Sequence, residues 1–133
     1  MHPLYSKASK LTEVVIGAAI EVHQDKGPGL VESIYEWCLM CELQLRGLTS
    51  TNQKIVTVSY KGFTKDEPLR FDLLVDECVL VEVKSVETIL PIHKAQLLSY
   101  MKLLDVPVGL LLNFNVSRLK DGMSRVILRG ADR

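Results

Sequence analysis

Apolar residues recur along this chain first at helical spacing, then in alternation, then at helical spacing again. Leu11, Val14, Val15, Ala18, Ala19 and Val22 fall three and four apart and predict a helix ending near Lys26, where Gly27-Pro28-Gly29 breaks it. Ser9 or Thr12 is placed to cap its start, and residues 1–10 read as a loosely held polar leader. Glu13, Glu21 and His23 fall on its solvated face, and His23 has no partner at metal-ligand spacing. A second helix is predicted from about Leu30 to Arg46, with Gly47 as its C-cap. Leu30, Ile34, Trp37, Cys38, Cys41 and Leu45 make its apolar stripe, while Glu32, Tyr35, Glu36 and Leu39 share another face.

Ile55, Val56 and Val58 mark a strand over Lys54 to Tyr60, followed by a polar turn over Lys61 to Pro68. Two strands come next, from about Leu69 to Val75 and from Val79 to Lys84. Pro91 suits the first turn of a helix running to Leu104, with either Ala95, Leu98 and Met101 or Leu97, Met101 and Leu104 toward the sheet. The continuous apolar run from Val108 to Phe114 predicts a central strand, parallel to the Val79–Lys84 strand through a right-handed crossover. Asp121-Gly122 signals a turn, and Val126 to Leu128 a last strand. The order α, α, three β, α, β, β over residues 1–133 reads as one α/β domain with a mixed sheet between helices.

Alternation across the middle strands separates two faces. Phe71, Leu73 and Val75 share one with Val79, Val81 and Val83, and the other carries Asp72, Glu82 and Lys84. Register decides whether the two acids meet. A two-residue turn at Asp76-Glu77 sends them to opposite faces; a three-residue loop at Asp76-Glu77-Cys78 sets Asp72 opposite Glu82. Only the longer loop keeps all six hydrophobes together. Carboxylates so paired, roughly 5 Å apart at Cβ, repel unless a cation lies between them. Lys84 supplies part of that charge and a hard divalent ion supplies more; the competing reading is a structural ion-pair cluster.

Composition narrows the setting. The 133 residues are 47% hydrophobic, enough for a core without covalent staples. No run is long enough to span a membrane, and the N-terminus lacks a signal-peptide layout. Cys38, Cys41 and Cys78 are an odd set that reads as reduced thiols in a cytoplasmic protein. Cys38 and Cys41 form a C-x-x-C on a helix with no second pair, which favours core thiols over a metal or redox site. Sixteen basic and sixteen acidic residues leave a formal net charge of zero, so no strong overall field draws a polyanion.

Three motifs carry a resemblance that covers about Leu11 to Leu128. Asp72 with Glu82-Val83-Lys84 resembles the Asp…(Asp/Glu)-x-Lys signature of the PD-(D/E)XK nuclease superfamily, with Phe71 where that pattern has proline. Gly29, Glu32 and Tyr35 match the motif of the small bacterial GxxExxY family, and Gln96-x-x-x-Tyr100 is similar to the QxxxY motif of RecB-type members. The resemblance implies a restriction-endonuclease-like αβββαβ core and a metal-dependent nuclease hydrolysing phosphodiester bonds in DNA or RNA. It implies Mg²⁺ or Mn²⁺ held by Asp72, Glu82, the Val83 carbonyl and an acid from the second helix, Glu32. Lys84, Gln96 and Tyr100 would complete the catalytic set, Gln96 and Tyr100 holding Lys84 or a phosphate. Tyr35 is expected to pack or to position Glu32. The alternative is a non-catalytic scaffold or nucleic-acid-binding module on the same fold, with oligomeric state open and a homodimer among the choices.

Overall fold

In a computed structural model describing residues 1–133, two helices precede a five-stranded sheet whose third and fourth strands are joined through a third helix. The elements are α1 (Tyr5–Lys26), α2 (Glu32–Leu45), β1 (Ser50–Tyr60), β2 (Phe63–Val75), β3 (Val79–Lys84), α3 (Pro91–Leu104), β4 (Val108–Asn113) and β5 (Met123–Ile127). A short 3-10 turn, Leu119–Gly122, precedes β5. The strands lie in the order β1-β2-β3-β4-β5; β3 and β4 are parallel and every other pair is antiparallel. α1 and α2 cover one face and α3 the other, the mixed sheet between helices that the order of elements predicts.

The predicted leader is helical. α1 starts at Tyr5, with Ala8 fully buried, and the His2 N–H donates to the Ala131 carbonyl at 2.9 Å. Tyr5, Ala8 and Leu11 are three apart, so this turn has an inward face, but an alanine and a tyrosine among serines and lysines make a faint apolar signal. Neither expected residue caps the start: Leu4 holds that position, and the Thr12 hydroxyl instead donates to the Ala8 carbonyl at 2.8 Å. His23 is buried rather than solvated, with its Nε2 donating to the Val116 carbonyl at 2.8 Å.

In α2 the predicted stripe is right only in part: Leu30 and Cys38 pack against the core, but the fully buried residues lie on the other predicted face. Tyr35, Leu39 and Leu43 are buried, whereas Trp37 is 63% exposed and Leu45 82% exposed. Apolar residues occur all round this helix, so spacing alone selects no face. Contact with α1 and the sheet decides. Gly47, with φ 79, follows α2 as its left-handed stop, its N–H donating to the Gln44 carbonyl.

β1 and β2 form a longer hairpin than their apolar residues suggest. Lys61 and Gly62 are the two turn residues, both with positive φ, and pairing runs from Tyr60↔Phe63 through Ile55↔Pro68. The stretch predicted as a polar turn is therefore mostly strand. β3 pairs with β2 only at Leu73, Leu74 and Val75, so the missing N–H of Pro68 faces no neighbour on that side.

The core is split by the sheet. Leu73, Val75, Val79, Val81 and Val83 join Tyr35, Leu39 and Leu43 on the α1/α2 side. Leu74, Leu80 and Leu111 meet Leu97, Met101 and Leu104 on the α3 side, the second of the two predicted α3 faces.

Candidate active site

The β2–β3 loop has the three-residue form, with Val75↔Val79 and Leu73↔Val81 in register, the pairing that points Asp72 toward Glu82. Asp76 and Glu77 both take positive φ there, and the Asp76 carboxylate secures the turn by accepting from the Thr49 hydroxyl at 2.9 Å. Pairing stops at Leu73↔Val81. Beyond it the Val83 N–H donates to Asp72 Oδ2 at 2.7 Å, a side chain taking over from the ladder.

A bulge causes the parting. β2 takes four steps from Arg70 to Leu74 while β1 takes two from Gln53 to Thr51. The extra residues centre on Asp72 and turn Phe71 to the α3-side cluster, away from Leu73 and Val75, with which plain alternation grouped it. Asp72 thereby stands at the place where two depressions meet, one under α3 and one beside α2.

Under α3 lies a cavity of about 220 Å³ bordered by Arg70, Asp72, Glu82, Gln96 and Tyr100. α3 can settle this close because Gly109 on β4 carries no side chain; a Cβ there would come within 2.6 Å of Met101 Sδ. Its first turn is fixed by Pro91 and by the Leu90 N–H donating to His93 Nδ1 at 3.0 Å. Lys84 Nζ lies 3.7 Å from Glu82 Oε1, and both side chains are about four-fifths buried (19% and 20% exposed). The Lys84 carbonyl accepts from the Phe114 N–H at 2.9 Å, which pins the end of β3 to the chain leaving β4.

The residues Gly29, Glu32 and Tyr35 brace the α2 side. The buried Tyr35 stacks on Phe114 with centroids 4.5 Å apart. Its hydroxyl donates to the Gly27 carbonyl and accepts from the Leu30 N–H at 3.1 Å, closing the loop in which Gly29 has φ 96. Glu32 Oε2 accepts from the Ser85 N–H at 3.1 Å, and the Ser85 hydroxyl donates to the Leu30 carbonyl at 2.6 Å. Glu32 is thus tied to the residue after Lys84 and does not border the α3-side cavity.

Four residues outside the predicted set belong to this neighbourhood. Glu36, one turn after Glu32, borders the α2-side depression together with Asp72, near enough for a shared proton to raise its pKa. The spacing of Glu32 and Glu36 was the available signal, yet nothing in the sequence separates it from a solvated face. Arg70 is the one cation bordering the cavity besides the nearby Lys84, and as an ordinary strand residue two before Asp72 it had no distinguishing mark. Ser85 joins Glu32 to the end of β3. Asn113 is buried, with its amide bonded both ways to the Val86 backbone at 2.9 and 3.1 Å, and it holds the segment following Lys84.

Electrostatically the cluster is strained toward protonation. Burial first, then a proton shared with Asp72 and the nearby Asp72 and Glu32 charges, push Glu36 up to about 8, with Lys84 pulling it down. Burial also raises Glu82; Lys84 opposes the shift, while Asp72 and Glu32 add to it. Glu82 Oε2 is buried with no hydrogen-bond partner. An acceptor so placed is costly unless a cation or proton meets it. No three Asp, Glu, His or Cys side chains stand close enough to hold a metal ion in their present rotamers. The donors are nevertheless all hard carboxylate oxygens, the chemistry Mg²⁺ and Mn²⁺ prefer, and the orphaned Glu82 oxygen is a free ligand atom among them.

The family model of the PD-(D/E)XK nuclease superfamily matches residues 9–126, from α1 into β5. No curated protein matches the chain, and no solved structure matches it.

Proposed function

The chain belongs to the PD-(D/E)XK nuclease superfamily and has its restriction-endonuclease-like α/β fold, and on that footing we propose that it is a divalent-cation-dependent nuclease hydrolysing phosphodiester bonds, with DNA as first substrate and RNA as second. We place it in the GxxExxY branch, on Gly29, Glu32 and Tyr35, with a RecB-like Gln96-x-x-x-Tyr100 element on α3. The observation that carries the reading is the unpartnered, buried oxygen of Glu82 beside Lys84, at a cavity it shares with Asp72, Gln96 and Tyr100.

Asp72 and Glu82 are the proposed ligands, with the Val83 carbonyl as a third; Glu32, whose Oε2 is held by the Ser85 N–H, would reach the ion only from the α2 side through its other oxygen. Mg²⁺ or Mn²⁺ bound there supplies Lewis-acid stabilisation of phosphoryl oxygens and lowers the pKa of water. The other groups act on substrate. Lys84 faces charge that grows on the phosphate in the transition state, where a fixed ammonium is worth most. Gln96 and Tyr100 hold Lys84 or a phosphate oxygen from the α3 side, and Arg70 offers a second cation at the mouth. Ser85 and Asn113 keep Glu32 and Lys84 at fixed separation, and the burial of Lys84 and Glu82 limits solvent screening. No helix is long and apolar enough to cross a membrane, and the three free cysteines suit the reducing cytoplasm in which we place the protein.

The test is cleavage of single-stranded and duplex DNA with Mg²⁺ or Mn²⁺, beside Asp72→Asn. That variant keeps an acceptor for the Val83 N–H and removes the charge. Cation-dependent cleavage lost in the variant supports the reading. Equal cleavage by both proteins, or none by wild type with either ion, defeats it and leaves the scaffold alternative.

A further inference from the structure

The depression on the α2 side of Asp72 holds the chain's single tryptophan. Trp37 sits in the middle of a helix beside buried Tyr35 and Leu39, yet it is 63% exposed. Helical spacing puts Ser33, Glu36, Trp37 and Met40 along one edge, and the start of β1 forms the opposite wall with Ser50, Thr51 and Asn52. Asp72 borders the groove as well, so this groove and the α3-side cavity meet at the same residue.

We propose that Trp37 is the stacking platform for an unpaired nucleobase next to the phosphate bound at Asp72, which makes single-stranded nucleic acid the substrate class. The inference rests on the nuclease reading of Asp72. Three features select a base as the occupant. No lysine or arginine borders the groove, so nothing there draws a phosphate, whereas a neutral ring needs no counter-charge. The indole and Met40 offer an apolar surface against a wall of hydroxyls and one amide, which matches a flat heterocycle with polar edges. The volume of about 330 Å³ falls at the small end of ligand sites.

Charge on the whole chain argues the same way. With equal numbers of acids and bases, affinity from phosphate neutralisation is small, and stacking is a source of affinity that does not depend on net charge. Arg70 lies across Asp72 at the other cavity, so phosphate and base separate to the two sides of one residue. Bases in a duplex are stacked on one another, and only a single strand or a frayed end presents one to the indole.

Because the chain has one tryptophan, its fluorescence reports this contact without ambiguity. The full-length protein is titrated in Ca²⁺ buffer with oligothymidylate, with the duplex it forms with oligoadenylate, and with an abasic strand of equal length, strand length being checked afterwards. Quenching by oligothymidylate, with little from the duplex and none from the abasic strand, is the expected result. Trp37→Ala should bind a dye-labelled oligothymidylate at least about tenfold more weakly, and Trp37→Phe should retain most of the affinity. The side chain is exposed, so a melting temperature close to wild type in both variants checks that the fold is intact.

Equal quenching by duplex and single strand, or Trp37→Ala binding as well as wild type, overturns the proposal. So does a concentration-dependent emission shift without nucleic acid, which would show a second copy covering the indole. Cleavage that needs Asp72 but neither quenches nor requires Trp37 leaves the nuclease reading standing and removes this inference. Quenching and Trp37-dependent binding without cleavage in Mg²⁺ or Mn²⁺ would do the reverse, supporting the base site on a non-catalytic module.

Discussion

The two faces of the central sheet divide the work of the molecule. Toward α1 and α2, β2 and β3 present Leu73, Val75, Val79, Val81 and Val83, part of a cluster of 19 buried residues. Toward α3 the buried cluster has 9 residues, and the same strands continue past Leu74 and Leu80 into Asp72, Glu82 and Lys84. The larger cluster is the one that must hold the fold. The smaller can tolerate repelling carboxylates and a cavity, since α3 covers only part of its face. Strand alternation makes this possible: one residue anchors and the next is available for chemistry.

The first way to break this comparison is to remove charge from the α3 side. Asp72→Asn should reduce cleavage to background while the metal-free protein melts within a few degrees of wild type, as a thermal melt beside a gel assay will show. Loss of cleavage through unfolding would mean that the site also serves as core. Next comes Lys84→Ala. Turnover should fall by about two to four orders of magnitude, the usual cost of a lost electrostatic or proton-transfer group. Mn²⁺ should still bind, and no more weakly, because a neighbouring positive charge is gone.

On the opposite face the outcome reverses. Leu39→Ala in α2 should lower stability by about 2–5 kcal/mol in denaturant unfolding, through lost burial and the cavity left behind. The residual folded fraction should cleave at the wild-type rate per molecule. Gln96→Ala, an exposed α3 residue at the cavity, should change stability by no more than about 0.5 kcal/mol and still slow cleavage.

The smallest effect concerns protons at the junction of the faces. Folded Glu36 keeps its proton up to about pH 8, against an ordinary value of 4.5. Between those values the folded state therefore binds more protons than the unfolded state, and stability falls as pH rises through the window. Glu82, raised in the same direction, adds to the slope. Melts of metal-free protein across that range should show the decline, and Glu36→Gln should flatten it. A slope unchanged in the variant would place the titrating group elsewhere.

How much of this was legible in the sequence follows from the same contrast. β3, α3 and the parallel β4 lie where the pattern places them, because each has a clear period and a definite stop. The β2–β3 register was readable since only one loop length keeps Leu73, Val75, Val79, Val81 and Val83 together. Phe71 escaped that logic because a bulge depends on pairing with β1, which no local pattern encodes. The stripe of α2 was unreadable because Ile34, Trp37, Tyr35 and Leu39 are all apolar and only tertiary contact chooses among them. Glu36 and Asn113 were missed for a related reason: each acts through a residue remote in sequence, Asp72 and Val86, and neither carries a mark of its own.

Calorimetric titration of Mn²⁺ into wild type, Asp72→Asn and Glu82→Gln tests the central claim most directly, since it asks whether the charges on the α3 side exist to hold a cation. Wild type should bind, and each variant should bind at least about tenfold more weakly, with a matching loss of the Mn²⁺-induced rise in melting temperature. Three superimposable isotherms, or no binding by wild type, would contradict the account and leave Asp72, Glu82 and Lys84 as a structural ion-pair cluster.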